Sequence, residues 1–289
     1  MSDTRRRTIV ITGASSGIGA AAARQLHSSG HRLLLVGRSR DKTWALAQSL
    51  GAKAYIADFA RLQDVRRLAS DLLEHYPHID VLVNNAGAMN SSFELTVDGF
   101  ERTFQVNYLA PYLLTRMLAG VLVASQASVV WTSSIAALSH IGKLQPQRLG
   151  AVDAQAREDF KPMRTYGQSK LAMTLAMAEF QRRFGDAGMA NVALHPGVVA
   201  TSFGDDLGGL VGWYYRSFLG KVFMTSPDKA ARRLVRLIEG TPGRDWEPGS
   251  FPGTDHRGPR ALAQLVLSDQ ALAKAVWEQT EQLLDSLVD

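Results

Sequence analysis

The chain contains no cysteine. That absence excludes a disulfide framework, a zinc–cysteine site, an iron–sulfur cluster and a thiol nucleophile, and it fits a reducing compartment. Long apolar runs are missing too. The best candidate for a membrane span, Leu207 to Met224, carries Arg216, Lys221 and four glycines, so no membrane span is expected. Met1 to Arg7 is polar and basic, and the apolar run after it, Ile9 to Ile11, is far shorter than a signal-peptide core. A soluble, cytoplasmic protein is expected. There is little excess charge: 32 Lys and Arg against 27 Asp and Glu give +5, spread along the chain. The one tight basic cluster, Arg5-Arg6-Arg7, reads as a solvated arm rather than a nucleic-acid patch, so no nucleic-acid partner is expected. No internal repeat, low-complexity tract or linker is visible. What remains is 289 residues, 46% hydrophobic and 20% charged, enough to bury a sizeable core. The simplest organisation is a single domain over residues 1–289.

Short apolar runs alternate with helical stretches. Strands are expected at Thr8–Thr12, Arg32–Val36, Ala54–Ala57, Val81–Val83, Ser128–Thr132 and Asn191–Leu194. Helices are expected at Gly17–Ser29, Lys42–Leu50, Leu62–Tyr76, Phe100–Val123 with a bend at Pro111, Tyr166–Phe184, Asp228–Glu239 and Leu272–Leu287. This order predicts an α/β protein with a Rossmann-type, doubly wound parallel sheet. Residues 138–163 read as an insertion, and Thr241–Pro259 as a Pro/Gly loop. Residues 200–224 mix glycines with Phe203, Trp213, Tyr214, Tyr215 and Phe218, which suggests a mobile apolar lid over a bulky lipophilic substrate. A membrane-surface role for Leu207 to Met224 is the competing reading.

Three local patterns carry chemistry. Thr12-Gly13-Ala14-Ser15-Ser16-Gly17-Ile18-Gly19 joins the first strand to the first helix. Small residues there let the backbone approach a diphosphate, and the helix N-terminus offers free N–H groups and a positive dipole end. Asn84-Asn85-Ala86-Gly87 closes the fourth strand. Tyr166 and Lys170 are four apart, so they share a helix face, where an ammonium favours the phenolate and readies it for proton transfer.

Together these patterns resemble the short-chain dehydrogenase/reductase family, with TGxxxGIG, NNAG and YxxxK in order over roughly Thr8 to Thr201. Tyr166-Gly167-Gln168-Ser169-Lys170-Leu171-Ala172 and His195-Pro196-Gly197-Val198-Val199-Ala200-Thr201 are most similar to its retinol-dehydrogenase-like branch. The resemblance implies a nicotinamide cofactor cradled by Gly13, Ser15, Ser16, Gly17, Ile18 and Gly19, and lined by Asn85, Ala86 and Gly87. It implies an adenine contact from Asp58, whose competing reading is an N-cap for the helix from Leu62, and one from the ring or backbone of Phe59. It further implies that Tyr166 is the general acid or base, that Lys170 holds the nicotinamide ribose, and that Ser134, rather than Ser133, orients the substrate oxygen. Asn107 would anchor a water linking the lysine to solvent. The backbone of Pro196, Gly197, Val198 and Val199, with the Thr201 hydroxyl, would meet the nicotinamide carboxamide, and His195 would be a structural strand end.

Arg38 follows the second strand where an acid would favour NAD; a guanidinium there suits a 2′-phosphate, so NADP(H) is expected over NAD(H). Ser134 and Tyr166 lie 32 positions apart, further than in simple family members, which places the insertion beside the active-site mouth. Family dimers pair the helices corresponding to Phe100–Val123 and Tyr166–Phe184, a face the insertion could cover, so homodimer and monomer both stay open. The expected function is hydride transfer between NADP(H) and a carbonyl or alcohol compound; the alternative is an NADP-binding redox sensor without turnover.

Overall fold

The protein is described by a computed structural model over residues 6–197, 226–252 and 257–287. Its strands are β1 (Thr8–Thr12), β2 (Arg32–Gly37), β3 (Lys53–Ile56), β4 (Val81–Asn84), β5 (Ser128–Thr132) and β6 (Ala190–Leu194). They form one parallel sheet in the order β3-β2-β1-β4-β5-β6. The helices are α1 (Gly17–Ser28), α2 (Arg40–Ser49), α3 (Leu62–His75), α4 (Arg102–Ala124), α5 (Ala154–Glu158), α6 (Pro162–Phe184), α7 (Pro227–Glu239), α8 (Arg257–Ser268) and α9 (Gln270–Asp285).

The nearly continuous apolar character of the inner strands follows from cover on both faces. Ile9, Ile11, Leu33, Leu35, Val81, Val83, Val130 and Val192 enter a core beneath α1, α2 and α7. Val10, Leu34, Leu82, Val129 and Trp131 enter the opposite core beneath α3, α4, α6, α8 and α9. This is the expected doubly wound, Rossmann-type sheet. Its strand order reverses between β1 and β4, which opens a crevice at the carboxyl ends of the strands.

Several elements depart from expectation. The helix expected over Phe100–Val123 is an α-helical turn at Arg102–Phe104, a π-helical segment at Gln105–Leu109 and an α-helix from Ala110. Pro111 has no N–H for the carbonyl four residues back, on Asn107, and its ring would crowd that carbonyl. The distortion therefore falls before the proline, where the Ala110 N–H reaches the Gln105 carbonyl. By length and composition α4 could cross a membrane, but Tyr112, Leu113, Leu114, Leu118 and Leu122 are buried in the core. Helix α6 begins at Pro162, inside the expected insertion, with proline in the first turn where its missing N–H costs nothing. The expected 241–259 loop gives way to α8 at Arg257, and the Asp269 side chain caps α9 by accepting from Leu272 N–H (3.0 Å).

Arg7 is not a solvated arm. Its guanidinium donates to the carbonyls of Ile238 (2.6 Å) and Gly240 (3.3 Å) at the end of α7. Helix α9 lies on α4 and α6: Trp277 meets Tyr112 and Phe180 edge-on, and the Arg183 guanidinium sits 4.6 Å over the Trp277 ring.

Candidate active site

At the switch point, the Thr12 hydroxyl stitches two strand ends together. It donates to the Val83 carbonyl (3.0 Å) and accepts from the N–H groups of Asn85 and Ala86 (both 3.0 Å). The Asn85 amide donates to the Thr12 carbonyl (2.9 Å). Gly13 sits at φ +67°, and a Cβ there would lie 2.8 Å from Ala86 Cα. Both the conformation and the close approach demand glycine. Behind it, a Cβ on Gly19 would lie 2.4 Å from the Gly13 carbonyl oxygen, so the turn packs tightly onto α1. Ser16 makes no side-chain cap and no acid stands in the first turn of α1. Its leading N–H groups are thus available to an anion.

These residues border a cleft of about 700 Å³ lined by Gly13, Ser15, Ser16, Gly17 and Ile18 from the turn, Gly37 and Arg38 after β2, Asp58 and Phe59 after β3, and Asn85, Ala86 and Gly87 after β4. The donor set suits a dinucleotide: N–H groups for a diphosphate at its middle and an exposed guanidinium at one end. No acidic side chain among the described residues pairs with Arg38. Asp58 does not cap α3; its carboxylate accepts from Ala60 N–H (3.0 Å), while Asp98, distant in sequence, caps Leu62 N–H (2.8 Å). The Phe59 ring is buried in the core, and its carbonyl accepts from Gln105 (3.2 Å). Val36, Ala57, Ala88, Met89, Asn90 and Val106 also line the cleft. Sequence reasoning passed over them because apolar residues beside a motif, and a lone Asn90 in a loop, carry no signal of their own.

At the other end, α6 carries Tyr166 and Lys170 toward the end of β5. Lys170 is 3% exposed; its ammonium donates to the Thr132 carbonyl (2.8 Å) and lies 5.9 Å from the Tyr166 ring centre. Burial pushes the Lys170 amine down to about 7. Gly87 leaves the opening before it: a Cβ there would stand 3.5 Å from Lys170 Nζ and 3.2 Å from Asn107 Oδ1. The Asn107 amide is fully engaged, accepting from Ala88 N–H (2.7 Å) and donating to the Ala88 carbonyl (2.9 Å) and the Ser169 hydroxyl (3.1 Å). Ser169 in turn donates to the Tyr166 carbonyl (2.7 Å).

The two serines at the β5 end separate cleanly. Ser133 is buried and packs its hydroxyl on Thr174 (2.8 Å) and the Lys170 carbonyl (3.3 Å). Ser134 is half-buried, and its oxygen accepts from Ala136 N–H (3.2 Å), which leaves the hydroxyl hydrogen for another oxygen. His195, at the end of β6, is buried with Nδ1 unpartnered; burial first, then the charge of Arg233, pushes it down to about 4, so it is neutral at physiological pH. Pro196 and Gly197 follow it, Gly197 at φ +100°. Val198, Val199 and Thr201, and the whole of the expected lid, lie outside the described residues.

A doubly wound parallel sheet, a glycine turn leading into α1, and a Ser/Tyr/Lys group at the strand ends define an NAD(P)-dependent dehydrogenase or reductase. Comparison with known proteins agrees. A family model described as short chain dehydrogenase matches residues 7–145. The chain is 37% identical over 278 residues to a Streptomyces sp. (strain C5) protein assigned as a daunorubicin C-13 ketoreductase, covering 94% of this chain and 90% of that one. It is 30% identical to human retinol dehydrogenase 13, over 96% of this chain and 84% of that one. A crystal structure of a Mycobacterium paratuberculosis protein superposes with a TM-score of 0.71 at 29% identity, covering 96% and 92% of the two chains. The chain belongs to the short-chain dehydrogenase/reductase family, in its retinol-dehydrogenase-like branch.

Proposed function

We propose that the protein is an NADP(H)-preferring reductase of lipophilic or aromatic ketones and aldehydes, working in reverse on the matching alcohols. When bound, the nicotinamide supplies or accepts the hydride. Gly13 to Gly19 would hold the diphosphate, Arg38 the 2′-phosphate, Asp58 and the Phe59 backbone the adenosine, and Asn85 to Gly87 the ribose side of the cleft. Pro196, Gly197, Val198, Val199 and Thr201 would hold the carboxamide. Ser134 donates its hydroxyl hydrogen to the substrate oxygen and fixes it. Tyr166 gives that oxygen its proton during reduction and takes it during oxidation. Lys170 holds ribose hydroxyls and stabilises negative charge on the phenol oxygen; an amine near neutrality is suited to moving protons at physiological pH. Asn107 holds the loop bearing Ala88 in place beside this lysine and supports the proton path.

One observation carries the reading: among the described residues the only side-chain hydrogen bond of Ser134 is accepted rather than donated, and the turn that follows it packs on the helix carrying Tyr166 and a buried, desolvated Lys170. The substrate class is supported by Ile135 and Met163, large apolar side chains 41% and 45% exposed that adjoin Ser134 and precede Tyr166 by one helical turn. The ketoreductase and retinol dehydrogenase names of the two relatives support it as well. A monomer is favoured, because this chain's own α9 covers the outer face of α4 and α6; light scattering tests that point. Purified protein should consume NADPH, in preference to NADH, with members of a ketone and aldehyde panel. Binding of NADPH with no turnover across the panel would leave a redox sensor as the better account.

A further inference from the structure

Ser134 follows β5 by two residues, Tyr166 lies on α6, and the insertion separates them in sequence. What joins them in space is the 3-10 turn Ile135–His140, which packs against α6. The contact centres on one imidazole. A Cβ on Gly167 would come within 2.4 Å of both Cε1 and Nδ1 of His140, and within 2.9 Å of the Ala136 carbonyl oxygen. Glycine destabilises the interior of a helix, so its place next to Tyr166 calls for a reason, and room for this ring supplies one.

The ring is also tied down. His140 Nδ1 lies 2.9 Å from the Ala136 carbonyl. Nδ1 also lies 3.0 Å from the Ser139 oxygen, and it carries the hydrogen when it donates to the carbonyl, which only accepts. The Ser139 hydroxyl donates to the same carbonyl (2.9 Å). Ala136 meanwhile donates its own N–H to Ser134 Oγ (3.2 Å). A continuous path therefore runs from the Ser134 hydroxyl, through both backbone groups of Ala136, to the His140 ring, and across van der Waals contact to the residue following Tyr166.

We propose that His140 is a positioning residue: its imidazole wedges the 135–140 turn against Gly167 and thereby sets the Ser134 hydroxyl opposite the Tyr166 phenol. The proposal rests on reading Ser134 and Tyr166 as the reacting pair. Neither His140 nor Gly167 lines the cleft that would hold the diphosphate and the adenosine. Disturbing the wedge should therefore slow the chemical step and spare dinucleotide binding.

The test uses the full chain with NADPH and 1-phenyl-1,2-propanedione as probe substrate. It compares His140→Ala, His140→Asn and Gly167→Ala by kcat, by NADPH affinity and by amide hydrogen exchange over residues 134–140. His140→Ala removes the ring and Gly167→Ala pushes against it, so both should lower kcat about tenfold or more while NADPH affinity stays within about twofold. His140→Asn keeps an N–H donor near the Nδ1 position and should recover part of the loss. Exchange at Ala136 should quicken in His140→Ala. Wild-type kcat in His140→Ala or Gly167→Ala overturns the proposal, as does a parallel loss of NADPH affinity, which marks general disruption. If the wild type consumes no NADPH with the dione, that counts against the proposed function. Exchange then decides the wedge separately: unchanged exchange at 134–140 in His140→Ala refutes it.

Discussion

Replacing Lys170 by methionine should make the ligand-free protein more stable while abolishing turnover. Lys170 is 3% exposed with no carboxylate beside it among the described residues, and burial moves its amine from 10.5 down to about 7. The folded-state value lies below the unfolded one, so between these values the unfolded chain binds more protons and stability rises with pH. Burying this amine costs about 5 kcal/mol at about pH 6, where it stays charged, and about 2 kcal/mol at about pH 9, where it must give up its proton, at roughly 1.4 kcal/mol per unit. Methionine has a similar stem and volume and carries no charge. It would leave the Thr132 carbonyl without its 2.8 Å donor, at a cost of about 1–2 kcal/mol. The net gain is about 3 kcal/mol at about pH 6, a rise of roughly 5–10 °C in Tm, shrinking nearly to zero by about pH 9. Differential scanning calorimetry of both proteins across this range is the assay. Other titrating groups cancel in the difference. A variant no more stable than wild type at low pH, or a gap that does not close as pH rises, refutes the claim that the protein holds a desolvated amine here.

Tyr166→Phe keeps the ring but removes the transferable proton; kcat should fall at least ~10², with NADPH affinity kept, as read by steady-state kinetics and fluorescence titration. Arg38→Ala should weaken NADPH by about tenfold or more and leave NADH nearly unchanged, since a lost charge-assisted contact to the 2′-phosphate is worth roughly 1.5–3 kcal/mol; equal weakening of both cofactors would show Arg38 to be an ordinary surface residue. Gly13→Ala meets φ +67° and a Cβ 2.8 Å from Ala86 Cα, so it should lower stability by about 1–3 kcal/mol and abolish NADPH binding, measured by denaturant melts and titration.

What could be read in the sequence was whatever depends on neighbours a few residues away. The turn from Gly13 to Gly19 is legible because tight approach to a helix start demands glycines at short spacing. Tyr166 and Lys170 are legible because a helix puts positions four apart on one face. The buried strands show as short apolar runs for the same reason. Features built from distant partners left no such trace. Asp98 caps α3 across 36 residues, Arg7 caps α7 across 231, and each looks like an ordinary surface charge in the linear chain. The room that Gly167 leaves is taken by His140, 27 positions earlier in the chain. The π-helical segment before Pro111 was half legible: proline announced a distortion, but not that the helix would widen ahead of it.

The cleft treats positive charge in opposite ways at its two ends, and this separates binding from chemistry. Arg38 is exposed, so the hold on a phosphate proposed for it would act through water and mobile ions; the screening length falls from about 10 Å at 0.1 M salt to about 3 Å at 1 M. Lys170 is enclosed by protein and feels little of the bulk ions. Raising salt over that range should therefore increase the KM for NADPH and erode its advantage over NADH, while kcat at saturating cofactor stays nearly constant. With Arg38→Ala the salt dependence of the NADPH KM should flatten. A kcat that falls with salt as steeply as the affinity would place the catalytic charge in solvent, against the burial of Lys170. An NADPH KM indifferent to salt would remove Arg38 from cofactor selection and return the preference to the shape of the pocket.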